Sequence, residues 1–260
     1  MLLEDKTALI TGCNRGIGKA ILETFAVNGA NIFACVRNET EEFTDRIKSL
    51  SEKNNVEITP LYFDMRDEKA MKSAMMQIRK TRKKIDILVN NAGMCPPSAC
   101  SFQMTPIDKI REVFDVNFFA TLQLTQYVLK FMQSASTVGG GGGGGSTPSI
   151  VNVASTAGID GSPGHCAYSA GKAALVGFTK TLSHELGSFG IRVNAVAPGL
   201  TDTDLAQSTW GDYIDEINER STMHRLGTTK EIADAILFLA SDLSSFMTGE
   251  VIRVDGGQII

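Results

Sequence analysis

The sequence predicts an α/β fold: a single doubly wound domain whose seven-stranded parallel sheet is flanked by helices on both faces. Three observations carry this expectation. Seven short runs rich in Val and Ile alternate with longer amphipathic segments along the chain. The short runs are predominantly apolar, the pattern of strands buried on both faces. The intervening segments are long enough to return the chain to a parallel neighbour, and right-handed crossovers make the doubly wound arrangement the natural solution.

Taken in order, residues 7–11 form the first strand, which runs into a glycine-rich turn and a helix over 17–28. A strand at 31–36 precedes a helix at 39–53, and a strand at 58–63 precedes a helix at 68–82. The basic cluster Arg79, Lys80, Arg82, Lys83 and Lys84 sits at the end of that third helix, where cations complement the helix dipole. A strand at 86–90 leads to one long helix over 106–133, and a strand at 149–154 to a helix over 167–187. The sixth strand, 192–197, is followed by a lid over 200–223 holding Trp210, Tyr213 and Met223, then by a helix at 230–241 and the last strand at 251–254. No composition shift or repeat divides residues 1–260, so one domain is expected. The seven consecutive glycines at 139–145 read as a loop of low complexity, an expansion or a linker, on the sheet face away from any ligand.

Composition narrows the class. With 260 residues, 43% hydrophobic and 21% charged, the chain suits a soluble domain with a large core. It shows no signal-type or membrane-spanning stretch, and a cytoplasmic location is expected. The five cysteines (Cys13, Cys35, Cys95, Cys100, Cys166) are scattered and lack metal-ligand spacing, so they read as reduced thiols with no metal. A net charge of −4 with no broad basic face argues against a nucleic-acid partner.

Two places carry chemistry. The first strand ends in Thr11-Gly12-Cys13-Asn14-Arg15-Gly16-Ile17-Gly18 and opens a helix, the arrangement in which glycines admit a pyrophosphate to a helix N-terminus. Rossmann-type dinucleotide binding is therefore expected there, with Asn14, Arg15 and Ile17 beside Gly12, Gly16 and Gly18. The second strand ends in Val36-Arg37-Asn38 with no acid to receive a ribose 2′-hydroxyl. Arg37 and Arg15 suit a 2′-phosphate instead, which selects NADP(H).

The second place is a trio. Tyr168 and Lys172 lie four residues apart, on one helix face, and Ser155 ends the preceding apolar run. An ammonium beside a phenol lowers its pKa from about 10 toward neutrality and makes tyrosine a working acid or base. Ser155 can hydrogen-bond the same substrate oxygen. His165, close by, has no partner acid in the sequence and reads as a loop residue near the site mouth.

With Asp64 after the third strand, Asn90-Asn91-Ala92-Gly93 after the fourth, Asn117 in a helix and Pro198-Gly199 after the sixth, these motifs resemble the short-chain dehydrogenases/reductases over essentially the whole chain. The resemblance implies that Asp64 meets the adenine amine and that Asn90, Ala92 and Gly93 brace the central strand at the adenosine ribose. It implies that Pro198, Gly199 and Thr203 lie along the nicotinamide end, that Lys172 also binds the nicotinamide ribose, and that Tyr168 protonates a carbonyl oxygen oriented by Ser155. Asn117 would hold a water that resupplies protons. The stretch 168–198 and the tail 249–257 look most like 3-oxoacyl-[acyl-carrier-protein] reductases, implying an acyl-carrier-bound carbonyl substrate and a homotetramer built on the helices at 106–133 and 167–187 and the C-terminal strand. Lys130 and His184 stand where those reductases usually present arginines to an acidic carrier. A small ketone, sugar or other alcohol remains an alternative substrate, and a non-catalytic NADP(H) sensor an alternative function.

Overall fold

The predominantly apolar character of the strands has a direct cause: both faces of the sheet are buried. Consecutive strand side chains point to opposite faces. Thus Ala8 and Ile10, Ile32 and Ala34, and Ile87 and Val89 pack into one core, while Leu9, Phe33 and Leu88 pack into another. A computed structural model of the protein describes residues 1–96, 98–132, 147–210, 214–219 and 221–258. The glycine run at 139–145, Tyr213, Ile259 and Ile260 lie outside the described residues.

The strands are β1 (Thr7–Thr11), β2 (Asn31–Val36), β3 (Ile58–Tyr62), β4 (Ile87–Asn90), β5 (Ser149–Val153), β6 (Arg192–Pro198) and β7 (Val251–Val254). They form one sheet in the order β3-β2-β1-β4-β5-β6-β7, every pair parallel. The order reverses between β1 and β4, and ligands of open α/β sheets bind at the carboxyl ends of strands at such a point.

Helices α1 (Gly16–Val27), α2 (Glu41–Asn54), α3 (Glu68–Thr81), α4 (Ile107–Phe114) and α5 (Ala120–Val128) come from the first half of the chain. The second half supplies α6 (Ala157–Asp160), α7 (Cys166–Gly187), α8 (Asp204–Trp210), α9 (Ile214–Glu219) and α10 (Thr229–Ala240). Phe25 of α1, Phe43 of α2 and Ile236 of α10 fill the first core; Ile78 of α3, Leu124 of α5 and Leu182 of α7 fill the second. Side-chain caps start several helices: Thr40 accepts from Phe43 N, Asp67 from Ala70 N, and Thr228 forms a reciprocal capping box with Glu231. The basic end of α3 is as expected, with Arg79 and Lys80 in its last turn and Arg82 closing it in the left-handed conformation, φ 56°.

The long helix expected over 106–133 is broken. A π-helical turn, Asp115–Phe119, separates α4 from α5 and turns Asn117 inward, 1% exposed. Such turns concentrate at functional sites, and one inserted residue leaves the apolar periodicity on either side nearly unchanged. The lid expected at 200–223 contains α8 and α9. Met223, at the end of that segment, is 63% exposed and lies against Gly256.

Candidate active site

A cleft of about 1300 Å³ opens along the carboxyl ends of β1, β2, β4, β5 and β6. Its floor begins at the glycine turn. Gly12 and Gly16 adopt φ +75° and +55°, a region that disfavours any side chain. A Cβ on Gly18 would lie 2.0 Å from Gly12 O and 2.5 Å from Asn91 Nδ2. Arg15, the α1 N-cap, supplies no side-chain oxygen to the first-turn N–H groups. Backbone donors at a helix start, approached through a turn without side chains, match a pyrophosphate in charge and shape. The residues present therefore fit a dinucleotide.

The turn is locked from β4. Thr11 Oγ1 accepts from Asn91 N (3.0 Å) and Ala92 N (2.9 Å), and Asn91 Nδ2 donates to Thr11 O (2.9 Å). Thr203 closes the turn from the other side of the cleft, because a Cβ on Gly16 would meet its Cγ2 at 3.4 Å. Its hydroxyl also caps α8, accepting from Ala206 N at 3.1 Å.

Beyond the ends of β2 and β3, Arg37 Nε stands 3.6 Å from Asp64 Oδ2, and Arg66 Nη2 stands 3.0 Å from the same oxygen. Hydrogen bonding from Arg66, and then the charges of Arg66 and Arg37, hold the Asp64 carboxyl below the usual range despite some burial. Arg15 and Arg37 are exposed and line the same cleft, with no acid at the end of β2. Arg46 of α2 donates to Asn14 O at 2.7 Å and supports the turn from below.

Ser155, Tyr168 and Lys172 lie at the other end. Lys172 and Tyr168 occupy one face of α7, with Lys172 Nζ 5.9 Å from the Tyr168 ring centroid. Ser155 follows β5, and its Oγ accepts from Ala157 N at 3.2 Å. Lys172 Nζ donates to Val153 O at 2.7 Å. Asn117 brackets Met94, accepting from its N–H (2.7 Å) and donating to its carbonyl (2.8 Å). Gly93 lies between these groups: a Cβ there would be 3.0 Å from Asn117 Oδ1 and 3.4 Å from Lys172 Nζ.

The electrostatics correct one expectation. Burial pushes the Tyr168 phenol up to about 12, helped by Cys95 and opposed by a hydrogen bond with Ser155. Burial also pulls the Lys172 ammonium down to about 8. The spacing of the pair brings lysine to tyrosine as expected, but loss of hydration is the largest influence on each group. A phenol kept neutral in this way is a proton donor at physiological pH. Burial likewise raises the Cys95 thiol to about 12 against the pull of Lys172, so it is a passive wall of the site.

Of the residues singled out from sequence, Gly12, Asn14, Arg15, Gly16, Ile17, Gly18, Arg37, Asp64, Ala92, Gly93, Ser155, Tyr168, Lys172, Pro198, Gly199 and Thr203 line the one cleft. Asn90 and Asn117 do not face it. Asn90 lies beneath the floor, its Nδ2 donating to Asn152 Oδ1 (2.8 Å) and Thr125 Oγ1 (3.1 Å). Asn152 in turn donates to Thr179 on α7 at 2.9 Å, which ties β4 and β5 to the helix carrying Tyr168 and Lys172. The sequence motifs include Thr11 and Asn91 without giving either a role of its own, and they omit Asn152 and Thr179; the Asn90-Asn91 doublet was the available signal. His165 is buried in the cleft wall one turn before Tyr168, with Nδ1 3.3 Å from Pro163 O, and burial lowers its pKa.

The profile of a family described as Enoyl-(Acyl carrier protein) reductase matches residues 12–258. A 3-oxoacyl-[acyl-carrier-protein] reductase of Thermotoga maritima is 36% identical, with the match covering 100% of both chains. A 3alpha-hydroxysteroid dehydrogenase of Mediterraneibacter gnavus is 34% identical, covering 98% of each. Among solved structures, a 3-oxoacyl-[acyl-carrier protein] reductase with bound NAD from Brucella melitensis superposes with TM-score 0.81 at 32% identity, covering 100% of this chain and 93% of that one.

Proposed function

Because this chain belongs to the short-chain dehydrogenase/reductase family, we propose that it is an NADPH-dependent reductase converting a 3-oxoacyl thioester to its 3-hydroxyacyl form. Family membership makes it an NAD(P)-dependent oxidoreductase. The observation that carries the reaction is the convergence of Ser155, a neutral Tyr168 phenol and Lys172 on one end of a cleft whose other end is a pyrophosphate-type turn.

When bound, the dinucleotide supplies hydride to the substrate carbon. The rest falls to the chain. Gly12, Gly16 and Gly18 leave the α1 N-terminus open to phosphate, with Asn14, Arg15 and Ile17 along the turn. Asp64 and Ala92 flank the adenosine half, and Pro198, Gly199 and Thr203 the nicotinamide half; Gly93, expected at the adenosine ribose, lies instead beside Lys172 Nζ. Ser155 uses its oxygen to accept from Ala157 N, which leaves its proton to polarise the substrate carbonyl. Tyr168 delivers the proton as negative charge develops on that oxygen. Lys172 keeps a cation beside the phenol, and Asn117, clamped to Met94, holds the wall behind Lys172 and serves proton resupply.

A pH dependence follows from this role. Lys172 loses its proton as pH rises through about 8, while Tyr168, raised to about 12, stays protonated over the same range. Reductive kcat/KM should therefore be flat from pH 6 to 7.5 and fall above 8, approaching tenfold per pH unit. A profile level to pH 10 would contradict the role given to Lys172.

NADPH is supported by the absence of an acid at the end of β2 and by Arg37 and Arg15 in the cleft wall. Arg37→Ala should reduce the preference for NADPH over NADH in kcat/KM by roughly 10- to 100-fold, the worth of one or two charge-assisted hydrogen bonds. An unchanged ratio, or wild-type preference for NADH, rejects the assignment. The substrate class is tested by NADPH oxidation with 3-oxoacyl thioesters, carrier-bound and free, beside oxo-steroids, small ketones and keto-sugars. The second reading, a steroid or other alcohol dehydrogenase, is favoured by the hydroxysteroid dehydrogenase relative. Turnover confined to oxo-steroids would select it. We further propose a cytoplasmic homotetramer; Phe119, 56% exposed beside α5, suits burial against a second copy, and sedimentation velocity reads the assembly directly. Among the described residues no helix is long and apolar enough to cross a membrane.

A further inference from the structure

Ser155 does not set its own orientation. Its Oγ accepts from Ala157 N (3.2 Å) and its carbonyl accepts from Gly158 N (3.0 Å), so both polar ends of the residue are held by the first turn of α6. That helix spans four residues, Ala157–Asp160, too few to be stable from its own hydrogen bonds. It is pressed against α7, since a Cβ on Gly158 would fall 2.7 Å from the Lys172 carbonyl carbon and 2.8 Å from Ala173 N. Thr156, at its start, also donates to Pro198 O through its N–H (3.0 Å) and its hydroxyl (3.3 Å). A further anchor, at the far end of the turn, is ionic. Asp160 Oδ2 lies 2.7 Å from Arg253 Nη1 at β7. An acid at a helix C-terminus opposes the helix dipole, so Asp160 does not serve α6 locally.

Arg253 reaches further than this one pair. Its Nη2 and Nε meet Asp255 Oδ2 at 2.8 and 2.9 Å. Asp255 in turn accepts from Gly257 N at 3.0 Å and abuts Gly199, where a Cβ would lie 2.6 Å from Asp255 Cβ. The guanidinium thus joins three segments of the cleft wall: the turn after Ser155, the end of β6 at Gly199, and the tail that carries Gln258. Arg253 and Asp160 are both exposed residues, but a forked guanidinium between two carboxylates has a defined geometry that an isolated surface pair lacks.

We propose that Arg253 and Asp160 are positioning residues for the reaction: their ion pair pins α6 and thereby aims the Ser155 hydroxyl at the substrate oxygen. The proposal rests on the carbonyl-reductase reading for its kinetic consequence, but not for its structural one. Asp160→Asn, which leaves the Arg253–Asp255 contacts in place, should lower kcat by roughly tenfold through a small misorientation of Ser155. The dissociation constant of NADPH and the Tm should stay near wild type, and Asp160→Glu should recover most of the rate. Hydrogen exchange should quicken in Asp160→Asn across residues 155–161 and nowhere in α7. A wild-type kcat in Asp160→Asn overturns the proposal. So does a loss accompanied by weakened NADPH binding, or one that Asp160→Glu does not repair. If wild-type protein turns over no carbonyl in the panel, the functional reading fails, and exchange alone decides the latch: unchanged protection over 155–161 rejects it, and faster exchange confined there upholds it.

Discussion

Tyr168→Phe should cost about 10²- to 10⁴-fold in kcat for carbonyl reduction, the range of a single general acid, while dinucleotide affinity stays within about twofold. The substitution removes one oxygen. The ring remains 5.9 Å from Lys172 Nζ, and Lys172 keeps its bond to Val153 O, so neither the floor nor the pyrophosphate turn is disturbed. Because burial already holds the phenol neutral, at about 12, the oxygen is present as a donor, and its loss cannot be made good by solvent in the half-buried position it occupies. Steady-state rates with the best carbonyl of the panel and a fluorescence titration with NADPH separate the two effects. A Phe variant within tenfold of the wild-type rate would discard the mechanism.

Gly18→Ala should show the opposite signature, damaging binding and stability together. The added methyl would sit 2.0 Å from Gly12 O, 2.5 Å from Asn91 Nδ2 and 2.7 Å from Gly12 C. Two of those atoms are backbone, and Asn91 is held by its own bond to Thr11 O at 2.9 Å, so none can give way cheaply. Overpacking of this kind costs about 1–3 kcal/mol, which lowers Tm by roughly 2–12 °C in a domain of this size. The same displacement widens the turn that receives the pyrophosphate, so NADPH affinity should fall by at least about tenfold. Calorimetry and titration of one variant read both. A Gly18→Ala protein with wild-type Tm and wild-type affinity would show that the turn is slack and that the close approach carries no function.

The positions of the strands were legible because a sheet covered on both faces favours apolar residues at most strand positions. Ile10 and Leu9, neighbours in β1, serve opposite cores and are equally apolar. Three features of the site were not legible, each for its own reason. The π-helical turn at Asp115–Phe119 inserts one residue into a helix whose apolar stripe is too short on either side to reveal the phase change. Asn90 and Asn91 are chemically identical and adjacent, and strand geometry sends them to opposite sides; the first ties β4 to Asn152, the second locks the glycine turn. The spacing of Tyr168 and Lys172 established that they meet, but the direction of their pKa shifts depends on how much water each loses, which is a property of the packed site.

Alone, the order of residues determined the α/β class, the place of the glycine turn and the meeting of Tyr168 with Lys172, since glycines at a strand-to-helix turn and a tyrosine one helical turn from a lysine are local arrangements. Tertiary structure decided what lies between distant segments: that Asn117 is clamped to Met94, that Thr203 reaches over to Gly16, and that Arg253 holds the turn after Ser155 through Asp160. Contacts of this kind join residues tens of positions apart through side chains whose types are common anywhere on a surface. Only the folded chain brings them within hydrogen-bonding distance and removes the water that would otherwise satisfy them.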